Sequence, residues 1–180
     1  MLALAYAAAH PQVIARLVLI GCGTFDKDAR ARFEAEIAAR MTPELKAGLE
    51  RLAQDFADPG ERLRARGRLL HQVYCYAPLP MDYELGPPDS DLKFEETWHD
   101  MLRLQEAGVY PAAFRVIEAP VLMLHGTYDP HPGVMIRDCL CQYMPQIEYR
   151  ELQRCGHEPW RERFASDDFF VALRAWLIVE

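Results

Sequence analysis

Val121-Leu122-Met123-Leu124-His125-Gly126-Thr127-Tyr128-Asp129-Pro130, read together with His157, decides how this chain folds. Four apolar residues in a row, opened by Pro120 and closed by Gly126, have the pattern of a short strand buried on both faces, as in a parallel sheet. An acid follows directly. In parallel α/β sheets, ligands gather beyond the carboxyl ends of the strands, so Asp129 is placed where chemistry is usually done. A second strand, Ile147 to Leu152, leads through Gln153-Arg154-Cys155-Gly156 to His157. If the two strands are neighbours, a carboxylate and an imidazole converge on one rim, with the carboxylate fixing the ring tautomer and the ring accepting a proton.

Outward from this pair the chain reads as an α/β protein. Met1 to His10 is an Ala- and Leu-rich helix that Pro11 terminates, and it opens without any residue able to cap it. Leu17 to Ile20 is a strand, and Gly21-Cys22-Gly23-Thr24-Phe25 turns out of it. From Asp26 to about Gly108 only helices are expected. Asp26 or Asp28 caps the first, to about Arg40; Thr42-Pro43 starts the second; Asp58-Pro59-Gly60-Glu61 starts the third, to about Tyr74. After a proline-rich loop, Ser90 caps a fourth, in which Phe94, Trp98, Met101 and Leu102 share a face that ends at Gly108. A crossover helix is expected over Pro132 to Tyr143. In the final helix, capped by Ser166, Phe169, Phe170, Leu173, Trp176 and Leu177 share a face. The expectation is three parallel strands near 17–20, 121–125 and 147–152. Residues 1–25 and 109–180 form the core, and residues 26–108 a helical lid.

Composition narrows the function classes. At 180 residues, with 51% hydrophobic and 26% charged residues, the chain suits one globular domain. Its 20 basic residues against 27 acidic ones give a net charge of -7, which argues against a nucleic-acid partner. No apolar run approaches the roughly 20 residues of a spanning helix, and Met1 to Ala9 lacks the basic lead-in of a signal peptide. No membrane association and a cytoplasmic location are therefore expected. The five cysteines (Cys22, Cys75, Cys139, Cys141 and Cys155) are odd in number and lack paired C-x-x-C spacing, so neither a disulfide framework nor a zinc site is indicated.

This order of parts resembles the C-terminal portion of the α/β-hydrolase fold, in a branch similar to the proline-iminopeptidase-like hydrolases with a helical cap. Leu122 to Asp129 looks like that family's hydrophobic strand and H-G-x-x-D signature, and Cys155-Gly156-His157 looks like its G-H signature. The resemblance implies Asp129 as triad acid and His157 as general base. It further implies a small ester or amide substrate, with no metal or organic cofactor. The family's nucleophile sits in G-x-S-x-G, on a turn just before a helix like Met1 to His10. That frame does not occur here: neither Ser90 nor Ser166 has flanking glycines, and Cys22 between Gly21 and Gly23 reads as a buried thiol. The resemblance thus implies a nucleophile turn and oxyanion hole ahead of Met1, and an inactive, truncated chain.

Two other readings stand beside this one. A catalytically dead remnant or interaction module would keep the scaffold alone. Leu17 to Thr24 also resembles the strand and glycine turn of S-adenosylmethionine-dependent methyltransferases, with Phe25 and Leu19 departing from that pattern. Of the remaining candidates, His125 is expected in the core and Tyr128 and His131 at the rim. Tyr74, Tyr76 and Trp98 are candidates for a pocket lining. An unpaired edge at Leu17–Ile20 is expected to favour self-association.

Overall fold

The computed structural model of the protein describes residues 1–80 and 93–178, with side chains described for all of these except 93–95. The expected cap at Ser90 lies outside the described residues, and so does the side chain of Phe94. Three strands, β1 (Leu17–Ile20), β2 (Val121–Gly126) and β3 (Ile147–Leu152), form one parallel sheet in the order β1-β2-β3. The register pairs Leu17 with Val121 and Ile20 with Leu124 on one side of β2, and Val121 with Ile147 and Gly126 with Leu152 on the other.

The central strand explains the architecture. Every residue of β2 is buried, because alternate side chains enter two separate cores. Val121 and Met123 pack with Leu4, Leu19, Phe114 and Ile136, which brings helix α1 (Leu2–Ala9) and helix α6 (Gly133–Cys141) onto one face. Leu122 and Leu124 pack with Leu152, Phe169 and Ala172, which brings helix α7 (Ser166–Leu177) onto the other. Each of these four strand side chains contributes roughly 1.5–3 kcal/mol of burial. As the sequence suggests, α1 begins without a side-chain cap.

Among the described residues, four α-helices run between β1 and β2: α2 (Lys27–Arg40), α3 (Pro43–Asp55), α4 (Pro59–Tyr74) and α5 (Lys93–Glu106). Asp26, Thr42 and Asp58 cap the first three, each accepting the backbone N–H three residues on. After α5, Gly108 takes a left-handed conformation with φ 70°.

Three expectations need correction. Ser166 does not cap α7, because the N–H groups of Ala165 and Ser166 already donate to the Glu162 carbonyl and Ser166 is itself helical; Asp167 and Asp168 supply the acidic first turn. Phe170 and Leu177 are exposed, since each is rotated about 100° from the packed residue before it, leaving the buried Phe169 and Ala172 and the partly buried Leu173 and Trp176 as the packed face. Trp98 is also more exposed than buried-face spacing implies; among the described side chains of that stripe, Trp98, Met101 and Leu102, Met101 alone is buried, and Arg30 lies over the Trp98 ring.

Candidate active site

The two loops that leave β2 and β3 are hydrogen-bonded to each other. Thr127 N–H donates to the Leu152 carbonyl at 3.0 Å and Tyr128 N–H to the Cys155 carbonyl at 2.8 Å. Such close backbone contact demands glycine at two positions. A Cβ at Gly126 would stand 2.2 Å from the Cys155 oxygen, and one at Gly156 would stand 2.1 Å from the Tyr74 oxygen. The glycines of both sequence signatures are therefore packing requirements of this crossing. Before it, Arg154 turns the chain back with φ 52°, and its guanidinium lies 4.3 Å from the centre of the Phe164 ring.

The crossing brings Asp129 and His157 together. His157 Nδ1 lies 2.8 Å from Asp129 Oδ2, and the Asp129 side chain is wholly shielded from solvent. A donor at Nδ1 leaves Nε2 with a free lone pair, the tautomer a general base requires. His157 also lies under the helical segment: its N–H donates to the Tyr74 carbonyl at 2.9 Å, and the Tyr74 ring packs edge-on against the imidazole.

A second imidazole, that of His131, expected only at the rim, shares the carboxylate. Asp129 Oδ1 accepts both the His131 backbone N–H, at 2.9 Å, and His131 Nδ1, at 2.8 Å. Phe33 of α2 stacks on the His131 ring at 4.2 Å between centroids. The Asp-x-His spacing could have suggested this turn, because Asp side chains commonly accept the N–H two residues on. His125 is buried as expected, and its Nε2 lies 2.9 Å from the His131 carbonyl, so Nε2 carries the proton and Nδ1 faces the core as a bare acceptor.

These contacts set the electrostatics. Burial acts to raise the Asp129 pKa, yet the hydrogen bonds from His131 and His157 outweigh it and hold the carboxyl well below the usual range. For His157, burial opposes the charged form, but the hydrogen bond and charge of Asp129 prevail and raise its pKa above 6.5. Burial lowers the pKa of His125 and raises that of Tyr74. Burial likewise pushes the Cys22 thiol up to about 11, which fits an inert core cysteine rather than a nucleophile.

The helical segment contributes more than a roof. Arg40, the last residue of α2, donates to the Val73 and Tyr128 carbonyls, both at 2.8 Å, and its guanidinium lies over the Tyr128 ring. Beside His157 opens a cavity of about 860 Å³ whose walls include Leu49, Leu52, Leu63, Leu70 and Tyr74, with Arg62 and Arg66 among them. This volume is in the range of small-molecule sites. Of the three candidate aromatics, Tyr74 lines the cavity; Tyr76 instead packs on Tyr128 and Phe164, and Trp98 lies away from it.

Sequence reasoning missed one residue entirely. Glu162 is fully buried, and its carboxylate accepts N–H groups from Tyr76 at 2.7 Å, Ala77 at 2.7 Å and Gly156 at 2.8 Å. It ties the exit of α4 to the loop that carries His157. Nothing in a lone Glu after Pro159-Trp160-Arg161 distinguishes it from a surface acid in sequence.

No family model matches this chain, and no curated protein sequence matches it. Solved structures do. The crystal structure of VinJ matches over 98% of this chain and 62% of its own, with 16% identity and a TM-score of 0.57. An α/β-hydrolase enzyme from a Medee basin deep-sea metagenome library matches over 99% and 62%, with 14% identity and a TM-score of 0.52. The proline iminopeptidase of Mycobacterium smegmatis matches over 98% and 60%, with 17% identity and a TM-score of 0.50. The chain therefore has the α/β-hydrolase fold in part, spanning about three fifths of the length of the structures it matches.

Proposed function

We propose that this chain carries the acid and base of a serine hydrolase that cleaves an ester or amide bond in a small substrate. The observation that supports it most directly is the 2.8 Å contact between His157 Nδ1 and a buried Asp129 Oδ2, beside a cavity lined by apolar side chains. In this reading Asp129 holds the ring in the tautomer with Nε2 free and stabilises the imidazolium. His157 takes the proton of a serine hydroxyl as it attacks the carbonyl carbon, then returns it to the leaving group. The acyl-enzyme is released by water through the same ring. Leucine-rich walls favour an apolar acyl or alkyl portion in the substrate.

The serine and the oxyanion donors are proposed to come from residues outside these 180, since no G-x-S-x-G frame occurs among them. The chain by itself is accordingly proposed to be inactive. An alternative role as an interaction module that keeps the scaffold without activity accounts for the same absence. The methyltransferase reading is disfavoured by the turn after β1, where a side chain built on Gly21 would stand 2.8 Å from the His157 carbonyl oxygen. At Gly21 the turn packs against the histidine loop, which leaves no room at that glycine for a cofactor. The proposed location is the cytoplasm, a reducing compartment that five free thiols suit. Among the described residues no helix is long and apolar enough to cross a membrane.

The test is to assay a chromogenic small ester with the chain joined to the coding sequence upstream of Met1, beside Asp129→Asn and His157→Ala variants. Each variant is expected to lose about 10⁴-fold in kcat. Residues 1–180 alone are expected to show no turnover above buffer. An unchanged rate in His157→Ala removes that residue from the mechanism, and an upstream frame with stop codons and no G-x-S-x-G favours the interaction module.

A further inference from the structure

Three metal-ligating side chains meet beside the cavity, and neither Asp129 nor His157 is among them. His71 and Cys75 are four residues apart at the end of α4 and so project from the same side of the helix. Glu158 reaches them from the loop after β3. Their donor atoms, one imidazole nitrogen, one sulfur and one carboxylate oxygen, all lie within 4.8 Å of one another. His71 Nε2 is already 3.5 Å from Glu158 Oε2, and this nitrogen is buried without a hydrogen-bond partner. Cys75 is 3% exposed, while His71 and Glu158 line the cavity.

We propose that His71, Cys75 and Glu158 form a site for a divalent transition-metal ion of the zinc type. A nitrogen, sulfur and oxygen set suits a borderline-soft cation such as Zn²⁺, which accepts three protein ligands and leaves a fourth position for water. With bonds of about 2.0–2.3 Å, tetrahedral ligands stand about 3.3–3.6 Å apart. The nitrogen–oxygen spacing already meets this, and the sulfur closes the remainder by side-chain rotation. Glu158 now accepts from Arg161 at 2.7 Å, so one carboxylate oxygen is shared or exchanged when the ion enters. Cys75 Sγ–H gives up its proton to the solvent as the metal–sulfur bond forms, releasing one proton per ion bound, and no electrons are transferred. The site is independent of the hydrolase reading, since it requires neither a nucleophile nor Asp129. No C-x-x-C pair marks the site in the sequence, because its single sulfur is joined by a histidine one helical turn away and a carboxylate from another loop.

The experiment is a Co²⁺ titration of residues 1–180, followed by displacement with Zn²⁺. Expected are d–d bands of tetrahedral Co²⁺ and a near-ultraviolet thiolate-to-metal band, one proton released per ion, and loss of both bands on adding Zn²⁺. Cys75→Ser should abolish the thiolate band, and His71→Ala and Glu158→Gln should each weaken Co²⁺ binding by at least about tenfold. The double variant Cys139→Ser/Cys141→Ser, which removes the other closely spaced thiols, should bind as the parent does. Circular dichroism of each variant, compared with the parent, separates loss of ligation from loss of fold. Absence of a thiolate band in the parent overturns the proposal. So does a band that survives in folded Cys75→Ser, or binding unaffected by both His71→Ala and Glu158→Gln.

Discussion

Replacing Glu162 by Ala removes an acceptor shared by three backbone N–H groups, and the magnitude of the loss follows from where those groups lie. The Gly156 N–H is buried, so leaving it without a partner costs about 1–3 kcal/mol. Those of Tyr76 and Ala77 are partly exposed and regain water, so each loses a net bond of about 1 kcal/mol. Glu162→Ala is therefore expected to destabilise the chain by about 3–5 kcal/mol, a large fraction of the stability of an ordinary domain. Glu162→Gln makes a sharper comparison. Oε1 alone serves Tyr76 and Gly156, so a glutamine keeping its oxygen there retains two bonds and turns its amide toward the Ala77 N–H, setting donor against donor. A smaller loss of about 1–2 kcal/mol is expected. Guanidinium chloride unfolding of the three chains, with equal m-values, measures both differences. An Ala variant within about 1 kcal/mol of the parent, or a Gln variant as unstable as Ala, refutes the assignment of Glu162 as the tie between α4 and the histidine loop.

Other outcomes follow from the same contacts. An NMR titration should place His157 above 6.5 and show it falling in Asp129→Asn; its contribution to stability is fully present below about 6.5 and disappears as pH rises through the raised value. Asp129 acts in the opposite direction, stabilising above its unfolded pKa near 3.9 and losing that contribution as acid titrates it through its depressed value, so an Asp129→Asn chain should show a weaker acid dependence in pH-dependent denaturation. Gly156→Ala has no room for its methyl beside the Tyr74 carbonyl and should lower the melting temperature by several degrees in calorimetry, whereas Gly23→Ala, where nothing lies within 4 Å, should change it little. Leu17 and Gly21 donate to the Pro120 and Leu124 carbonyls, so by alternation the N–H groups of Val18 and Ile20 face the edge of β1 that no strand among the described residues pairs. Residues 1–180 are expected to self-associate in light scattering and Val18→Pro to reduce this; a monomeric parent chain counts against it.

Much of this arrangement follows from local sequence. A short apolar run bounded by Pro120 and Gly126 has the pattern of a strand shielded on both faces, which fits β2 at the centre of the sheet with Asp129 just beyond its carboxyl end. Capping residues such as Asp26, Thr42 and Asp58 act within a few positions of themselves, so the starts of α2, α3 and α4 were readable for the same reason. The resemblance went further and paired Asp129 with His157, whose contact joins residues 28 apart.

Tertiary structure decided what depends on surfaces meeting. His131 becomes a second donor to Asp129 because its turn folds the ring back beneath Phe33, and Glu162 becomes a buried anchor because two remote loops point their N–H groups at it. His71, Cys75 and Glu158 converge only when α4 is laid against the loop after β3. The periodicity of a helix or strand records which face is apolar, and a cap records where a helix begins. Neither records which distant backbone or side chain will occupy the facing space. The sequence of this protein thus determined its strands, its capped helices and the acid at the strand end, while the packing of the helical segment over the sheet determined the company that acid keeps.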